Sequence, residues 1–493
     1  MMHTRATTTG EPSPLLRPLV RTSLTGVPGQ PYVLQRPFLM LAGIALVSKV
    51  APAAAPLALL FVAIHALRGV RETAEACLLL FFLLLGNPHY TPEGTNFMRW
   101  VILFAGFARL QLDDLLNRTR GEGASAFTWG LVFFVGIEIL VALLAGRYPL
   151  LSVLKLFSFF LGTYTMVTAF WRTRSLALYW RHWMYTLAAF VIVGSFFTFL
   201  AGDAYVRTER SMQGILTHPQ VLGPVAATFT GWLFGGILTG KDQSFLSKLL
   251  VVGGLFLILL SGARTAGAAL LVGLAAALLM LVLRRERVLD FSAVSPASIL
   301  LLLTFGLGAG IMMAPQIQES IVSYVEKGDD VETFSELFEM SRGELISTSM
   351  QNFREAPVTG IGFGVPSDLA EVGRRAESWM DVPFSASSEK GFMPSAVLEE
   401  TGVIGAILVT MLLLLVAVPV FRYGTIGVMW GFVAVLMTNI GAAVLFSVGG
   451  LGYFVWLFIA FCLAQTTVPE SADAPAPWRP VPYYYGGYRP YGA

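Results

Sequence analysis

The stretch LFLILLSGARTAGAALLVGLAAALLML, residues 255–281, carries one charge, Arg264, between two long apolar runs. The apolar region from Leu249 to Leu283 would be roughly 50 Å long as a single helix, against a hydrocarbon core of about 30 Å, so it predicts two helices. Their break falls at Ser261-Gly262-Ala263-Arg264, where small residues permit a tight turn and the arginine reaches water at the membrane face. Arg264 is thus expected at the tip of a transmembrane hairpin.

Composition extends this reading to the whole chain. Its 493 residues are 55% hydrophobic and 13% charged, with a mean hydropathy of +0.68, which leaves too little polar surface to cover a soluble globule. An all-α, polytopic integral membrane protein follows. A net charge of +2 without a concentrated basic face excludes a nucleic-acid binder. Cys77 and Cys462 lie far apart in apolar runs, so neither a disulfide framework nor a zinc site is indicated.

Candidate spans besides 249–262 and 265–283 are 37–49, 52–67, 74–86, 97–112, 127–146, 149–171, 182–201, 220–240, 295–314, 397–421, 425–441 and 448–466. That gives about 12–14 transmembrane helices, since the first two spans are short enough to form a re-entrant pair. Alternate connections hold most of the basic residues: Arg17, Arg21, Arg36, Arg68, Arg71, Arg109, Arg118, Arg120, Arg172, Arg174, Arg181, Lys241, Lys248, Arg284, Arg285, Arg287 and Arg422. Those connections are cytoplasmic by the positive-inside rule, and both termini fall with them. Arg99, Arg147, Arg210 and Arg264 then lie on the outer side.

The expected organisation is a cytoplasmic segment 1–36 without a signal-peptide core, a helical core 37–314, an outer loop domain 315–396, C-terminal helices 397–466 and a low-complexity cytoplasmic tail 467–493. Within the loop, SELFEMSRGELISTSMQNFREAP reads as an amphipathic helix with Leu345, Ile346, Met350 and Phe353 on one face, stopped before Pro357. TGIGFGVP follows as a glycine-rich turn whose backbone could approach a ligand closely. No metal or other cofactor is expected: the adjacent acids Asp329-Asp330 stand in a GDD turn without a supporting ligand set.

Five outer-face segments form an ordered series: RSMQGILTHPQVLG (210–223), SGARTA (261–266), SRGELISTSMQNF (341–353), PVTGIGFG (357–364) and EKGFMPSAVLEETGVIG (389–405). The series resembles the O-antigen ligase and Wzy-type polymerase superfamily of membrane glycosyltransferases over residues 205–410. The resemblance implies a GT-C-like helical fold in the bacterial inner membrane. It also implies glycosyl transfer, at the outer face, from an undecaprenyl-pyrophosphate-linked glycan to the hydroxyl of an acceptor glycan. In that family, arginines matching Arg210 and Arg264 hold the donor pyrophosphate, and Arg342 is a third candidate contact. The chemistry agrees, because guanidinium forks stabilise a departing pyrophosphate through bidentate charge-assisted hydrogen bonds. His218, Gly362 and Gly364 join the candidate substrate-binding set.

Each residue has a plainer reading beside this one. Arginines at a membrane interface often serve only as topology anchors, which is the expectation for Arg99 and Arg147. His218 before Pro219 stands where a histidine hydrogen-bonds a helix entry, and the glycines suit a turn as well as a ligand. The sequence also departs from the ligases, whose His-Asn pair before EETG is replaced by Gly391-Phe392. Glu389, next to Lys390, is the remaining candidate base. That gap favours a polymerase, working beside membrane lipid and a chain-length regulator, over a ligase that transfers glycan to lipid A core.

A lipid-linked sugar flippase is the alternative from another class, because Glu138 lies mid-span in GLVFFVGIEILVALL. A hairpin turning near Arg147-Tyr148 would bring Lys155 to the same depth, so a structural Glu138–Lys155 pair is expected. The chain shows none of the internal repeats common in transporters.

Overall fold

A computed structural model describes residues 36–92, 95–116, 125–205, 211–240, 242, 244–284, 343–368 and 390–466. The expected span at 295–314, the acids Asp329-Asp330, the N-terminal segment 1–35 and the tail 467–493 lie outside the described residues. The described chain is helical, with a single isolated antiparallel bridge between Gly86 and Leu216. Among the described residues six helices are long and apolar enough to cross a membrane. The protein is an all-α polytopic membrane protein, as lipid requires of a chain that must satisfy its own backbone polar groups.

The helices, in chain order, are α1 (Arg36–Val50), α2 (Ala55–Leu67), α3 (Val70–Leu85), α4 (Thr95–Leu116), α5 (Ala126–Ala145), α6 (Pro149–Arg172), α7 (Ala177–Leu200), α8 (Pro219–Leu238), α9 (Phe245–Leu260), α10 (Arg264–Arg284), α11 (Glu344–Glu355), α12 (Met393–Tyr423), α13 (Ile426–Gly441) and α14 (Leu451–Gln465). Their boundaries are written in the sequence. Proline occupies the first turn of α2, α6, α8 and α12, where its missing N–H costs nothing. Ser125, Ser244 and Thr425 cap α5, α9 and α13 by accepting from backbone N–H groups.

Burial sorts the helices into centre and rim. Nearly every residue of α14 is buried, around Tyr453, Phe454, Trp456 and Phe458, so this short helix fills the middle of the bundle. By contrast α10 exposes Leu271, Leu279, Val282 and Leu283, and α12 exposes Ile407, Met411, Leu414 and Val418. Large exposed aliphatics on a span are its lipid-facing surface.

The alternate connections gather at opposite ends of the bundle. At the basic end, Arg172 bonds Asp114 and the Leu110 carbonyl, and Arg284 donates to the Gly424 and Phe421 carbonyls. Glu75 accepts there from Tyr179 and contacts His65 at 2.8 Å. At the other end, here the loop end, Lys49 pairs with Asp203 at 2.9 Å and Asn87 donates to the Asp203 and Gly214 carbonyls. Lys49 and Tyr90, both hydrogen-bonded to Asp203, hold its carboxyl below the usual range. Burial, with that same carboxylate, pushes the Tyr90 phenol up to about 12. The helix α10 ends at the basic end with Arg284, whereas residues 344–366 lie at the loop end, where the Arg147 amide donates to the Ile361 carbonyl.

Candidate functional site at the loop end

The hairpin around Arg264 forms the first half of the site. The α9–α10 turn is closed by Gly262 at φ +62°, by Ser261 Oγ donating to the Ile258 carbonyl at 2.8 Å, and by the Ala263 amide donating to Ser261 Oγ. Arg264 begins α10 and is half-buried. The segment 211–218 lies along this turn: the Met212 amide donates to the Leu260 carbonyl, and a Cβ on Gly262 would come within 3.2 Å of Ser211 Oγ. His218 N-caps α8, with Nδ1 accepting from the Gln220 amide at 3.1 Å. Gly223, one turn later, packs on Ser261 and Ala263. Two of the five sequence segments are therefore adjacent in space. Arg210, Arg342 and Glu389 lie outside the described residues.

The second half arises where α12 opens. Gly402 at φ +62° breaks the helix, and the Glu399 and Glu400 carbonyls and the Val403 and Ile404 amides pair with the glycine-rich segment instead of with each other. The Ile361 and Gly362 amides donate to the Glu399 and Glu400 carbonyls at 2.8 and 3.1 Å. In return the Val403 and Ile404 amides donate to the Pro357 and Val358 carbonyls at 3.0 and 3.3 Å. A Cβ on Gly360 would overlap the Glu400 backbone, and one on Gly402 the Val358 backbone, so both positions demand glycine. The close approaches of Gly362 and Gly364 are to the protein itself, at Ser152 and the Lys155 side chain of α6.

This pairing seals a buried charge cluster. Lys390 Nζ lies 3.1 Å from Glu399 Oε2 and 3.1 Å from Glu400 Oε1, without the alignment of a hydrogen bond to either. All three are buried, at 3, 0 and 6% exposure. Glu399 also accepts from Ser349 Oγ at 2.9 Å, Asn352 Nδ2 at 2.6 Å and Ser367 Oγ at 3.0 Å. Glu400 Oε2 accepts from the Gly364 amide at 2.6 Å. Hydrogen bonds to a charged group contribute about 1.5–3 kcal/mol each, so these contacts fix the loop on α12. Sequence reading missed the cluster, noting Lys390 only as the neighbour of Glu389. It had one visible signal, the Ser349–Asn352 spacing of three that puts both polar side chains on one helix face.

The amphipathic helix expected around 341–353 forms as α11, and one expectation about packing, at Glu138, is corrected. In α11 the fully buried residues are Ser349 and Asn352, while Leu345, Ile346, Met350 and Phe353 are half-buried, because the partner across the interface is a carboxylate. Glu138 does not pair with Lys155. It is 2% exposed, its Oε1 has no hydrogen-bond partner among the described residues, and a Cβ on Gly405 would come within 2.5 Å of that oxygen. The loop residue Gly364 packs instead along Lys155, which hairpin geometry alone does not foresee. An unpaired buried carboxylate is unfavourable, so Glu138→Gln is expected to hold or raise the melting temperature in detergent. A marked fall would restore an ionic partner for Glu138.

Residues Ala442–Gly450 join the two halves. Gly441, at the end of α13, abuts Thr265 beside the hairpin arginine, and the Phe446 ring lies 4.7 Å from that of Phe363 in the glycine-rich turn. A hairpin arginine, a glycine-rich turn paired to a broken helix, and a buried acid–lysine cluster therefore share one end of the bundle.

Comparison with known families places that arrangement. Residues 249–410 match the family model of the O-antigen ligases, Wzy_C. The matched stretch runs from α9 through the hairpin, α11 and the glycine-rich turn to the break in α12, so the O-antigen ligase match contains Arg264, Gly362, Gly364, Lys390, Glu399 and Glu400. The resemblance read from the sequence motifs is shown over that stretch, and His218 and Arg210 precede it. No curated protein matches the chain.

Proposed function

We propose that the protein polymerises a surface polysaccharide by moving oligosaccharide from an undecaprenyl-pyrophosphate carrier onto the hydroxyl of an acceptor glycan. The loop end then faces outward from the inner membrane, and both termini are cytoplasmic, as the arginine and lysine asymmetry requires. The acceptor oxygen bonds to the anomeric carbon while the bond from that carbon to the phosphate oxygen breaks. Charge accumulates on the leaving pyrophosphate, where Arg264 and Arg210 stabilise it, with Arg342 as a further contact. The acceptor proton passes to Glu389, whose neighbour Lys390 is pinned between Glu399 and Glu400. His218 and the turn at Gly362 and Gly364 position the sugars.

The observation that carries this reading is the joining of the Arg264 hairpin to a buried acid–lysine cluster inside the O-antigen ligase match. Lys390 already bridges the two carboxylates that would otherwise attract a cation, which supports transfer without metal. The absence of an imidazole at Gly391-Phe392 favours a polymerase, assisted by a chain-length regulator. The family description itself favours a second reading, ligation of the same donor to lipid A core.

Purified protein in lipid nanodiscs, given lipid-pyrophosphate-linked oligosaccharide with EDTA, distinguishes the two. A ladder spaced by one repeat unit is expected. Product formed only on adding lipid A core would replace polymerase by ligase. Absence of any glycosyl transfer, with donor crossing the bilayer of proteoliposomes, would establish the flippase instead.

A further inference from the structure

Arg99, the fifth residue of α4, stands near the loop end of that helix and is 5% exposed. Its guanidinium makes no hydrogen bond or ion pair among the described residues, its Nε is buried without a partner, and it lies over the Trp100 ring with its centre 4.9 Å from the centroid. An arginine stays protonated at any accessible pH, and a buried charge without a counter-ion is strongly unfavourable. A topology anchor would put the cation in water instead. This one is enclosed.

Its surroundings belong to the site. A Cβ on Gly449 would come within 2.7 Å of Arg99 Nη1, so the missing side chain makes room for the guanidinium. Gly449 lies in the connection between α13 and α14, which abuts Thr265 through Gly441 and Phe363 through Phe446. Ser447 Oγ, accepting from the Gly449 amide and donating to its carbonyl, holds that connection in shape, as does Trp456 donating to the Leu445 carbonyl. The end of α13 and the connection after it thus touch both halves of the site and lie against the enclosed cation.

We propose that Arg99 is a phosphate-binding residue that contacts the pyrophosphate of the lipid-linked donor, alongside the hairpin arginine. This rests on the functional reading above. The anion supplies the counter-charge that is missing among the described residues, through the planar fork that suits phosphate oxygens.

The test uses the full chain in nanodiscs of neutral lipid and reads undecaprenyl pyrophosphate binding by thermal shift and titration, with EDTA, beside glycan synthesis. Arg99→Gln should melt no lower than the parent without ligand, since it removes an uncompensated charge. It should bind undecaprenyl pyrophosphate at least tenfold more weakly and lose its stabilisation by that lipid. Gly449→Ala keeps the charge but displaces the guanidinium, and should weaken binding by a smaller factor. Unchanged binding in both variants would overturn the proposal. So would a parent stabilised by phosphatidylglycerol and not by undecaprenyl pyrophosphate, which would make Arg99 a lipid-headgroup contact. Arg99-dependent donor binding without glycan synthesis would leave this proposal standing and sink the functional reading. Normal synthesis by Arg99→Gln would do the reverse.

Discussion

Lys390→Met is expected to open the loop from α12 and abolish glycan synthesis. The substitution keeps the length of the side chain but leaves Glu399 and Glu400 side by side, almost without solvent. Removing one member of a buried ionic group costs about 3–5 kcal/mol, because the charge left behind is uncompensated. The amides of Ile361, Gly362 and Gly364 report the damage directly, since they donate to the Glu399 carbonyl, the Glu400 carbonyl and Glu400 Oε2. Their hydrogen-exchange protection should fall on the order of a hundredfold or more, while amides in the buried α14 should change little.

The two carboxylates differ in support, and a second substitution exploits this. Glu399 retains Ser349, Asn352 and Ser367 as donors when the ammonium is gone, whereas Glu400 retains the Gly364 amide. Adding Glu400→Gln to Lys390→Met should therefore recover more protection than adding Glu399→Gln, which turns one of the two oxygens that accept from Ser349, Asn352 and Ser367 into an amide donor as it removes a charge. Full protection in Lys390→Met alone would show that the cluster does not hold the loop.

What the sequence made legible was set by local chemistry. The hairpin turn at Ser261–Arg264 could be placed because run length, small residues and a lone cation all act within a few positions. The grouping of basic connections at one end follows from the same kind of count. The cluster of Lys390, Glu399 and Glu400 could not be read that way. Glu399 and Glu400 stand at the threshold of an apolar run, where they look like interface charges, and their partners come from α11 and the glycine-rich turn. Only a helix break at Gly402 and a strand-like pairing with Pro357–Gly362 bring them together. Glu138 shows the converse error. Its depth was judged from the α5–α6 hairpin, but Gly364 enters from far along the chain and packs against Lys155, while Glu138 faces Gly405 of α12. Arg99 was read as an anchor because sequence gives a residue's depth in the membrane and not whether neighbouring segments enclose it.

Arg264→Ala is expected to lower glycan synthesis on the order of a hundredfold or more, the loss seen when one donor to a developing oxyanion is removed. The hairpin itself should persist, because Gly262 sets its turn and Ser261 closes it on both sides without using the guanidinium. Melting temperature and detergent elution profile should match the parent, which separates a lost contact from a lost fold. Arg264→Lys is the sharper variant. An ammonium keeps the positive charge at the membrane face, so an arginine that only fixes topology would be replaced freely. A pyrophosphate clamp needs two parallel N–H groups from one planar fork, which an ammonium presents as a compact point charge, so lysine should restore little. The same pattern is expected at Arg210, with the two losses less than additive, because both residues act on one leaving group. Wild-type synthesis by Arg264→Lys, measured in EDTA on the lipid-linked donor, would reduce Arg264 to an anchor and remove the hairpin from the chemistry.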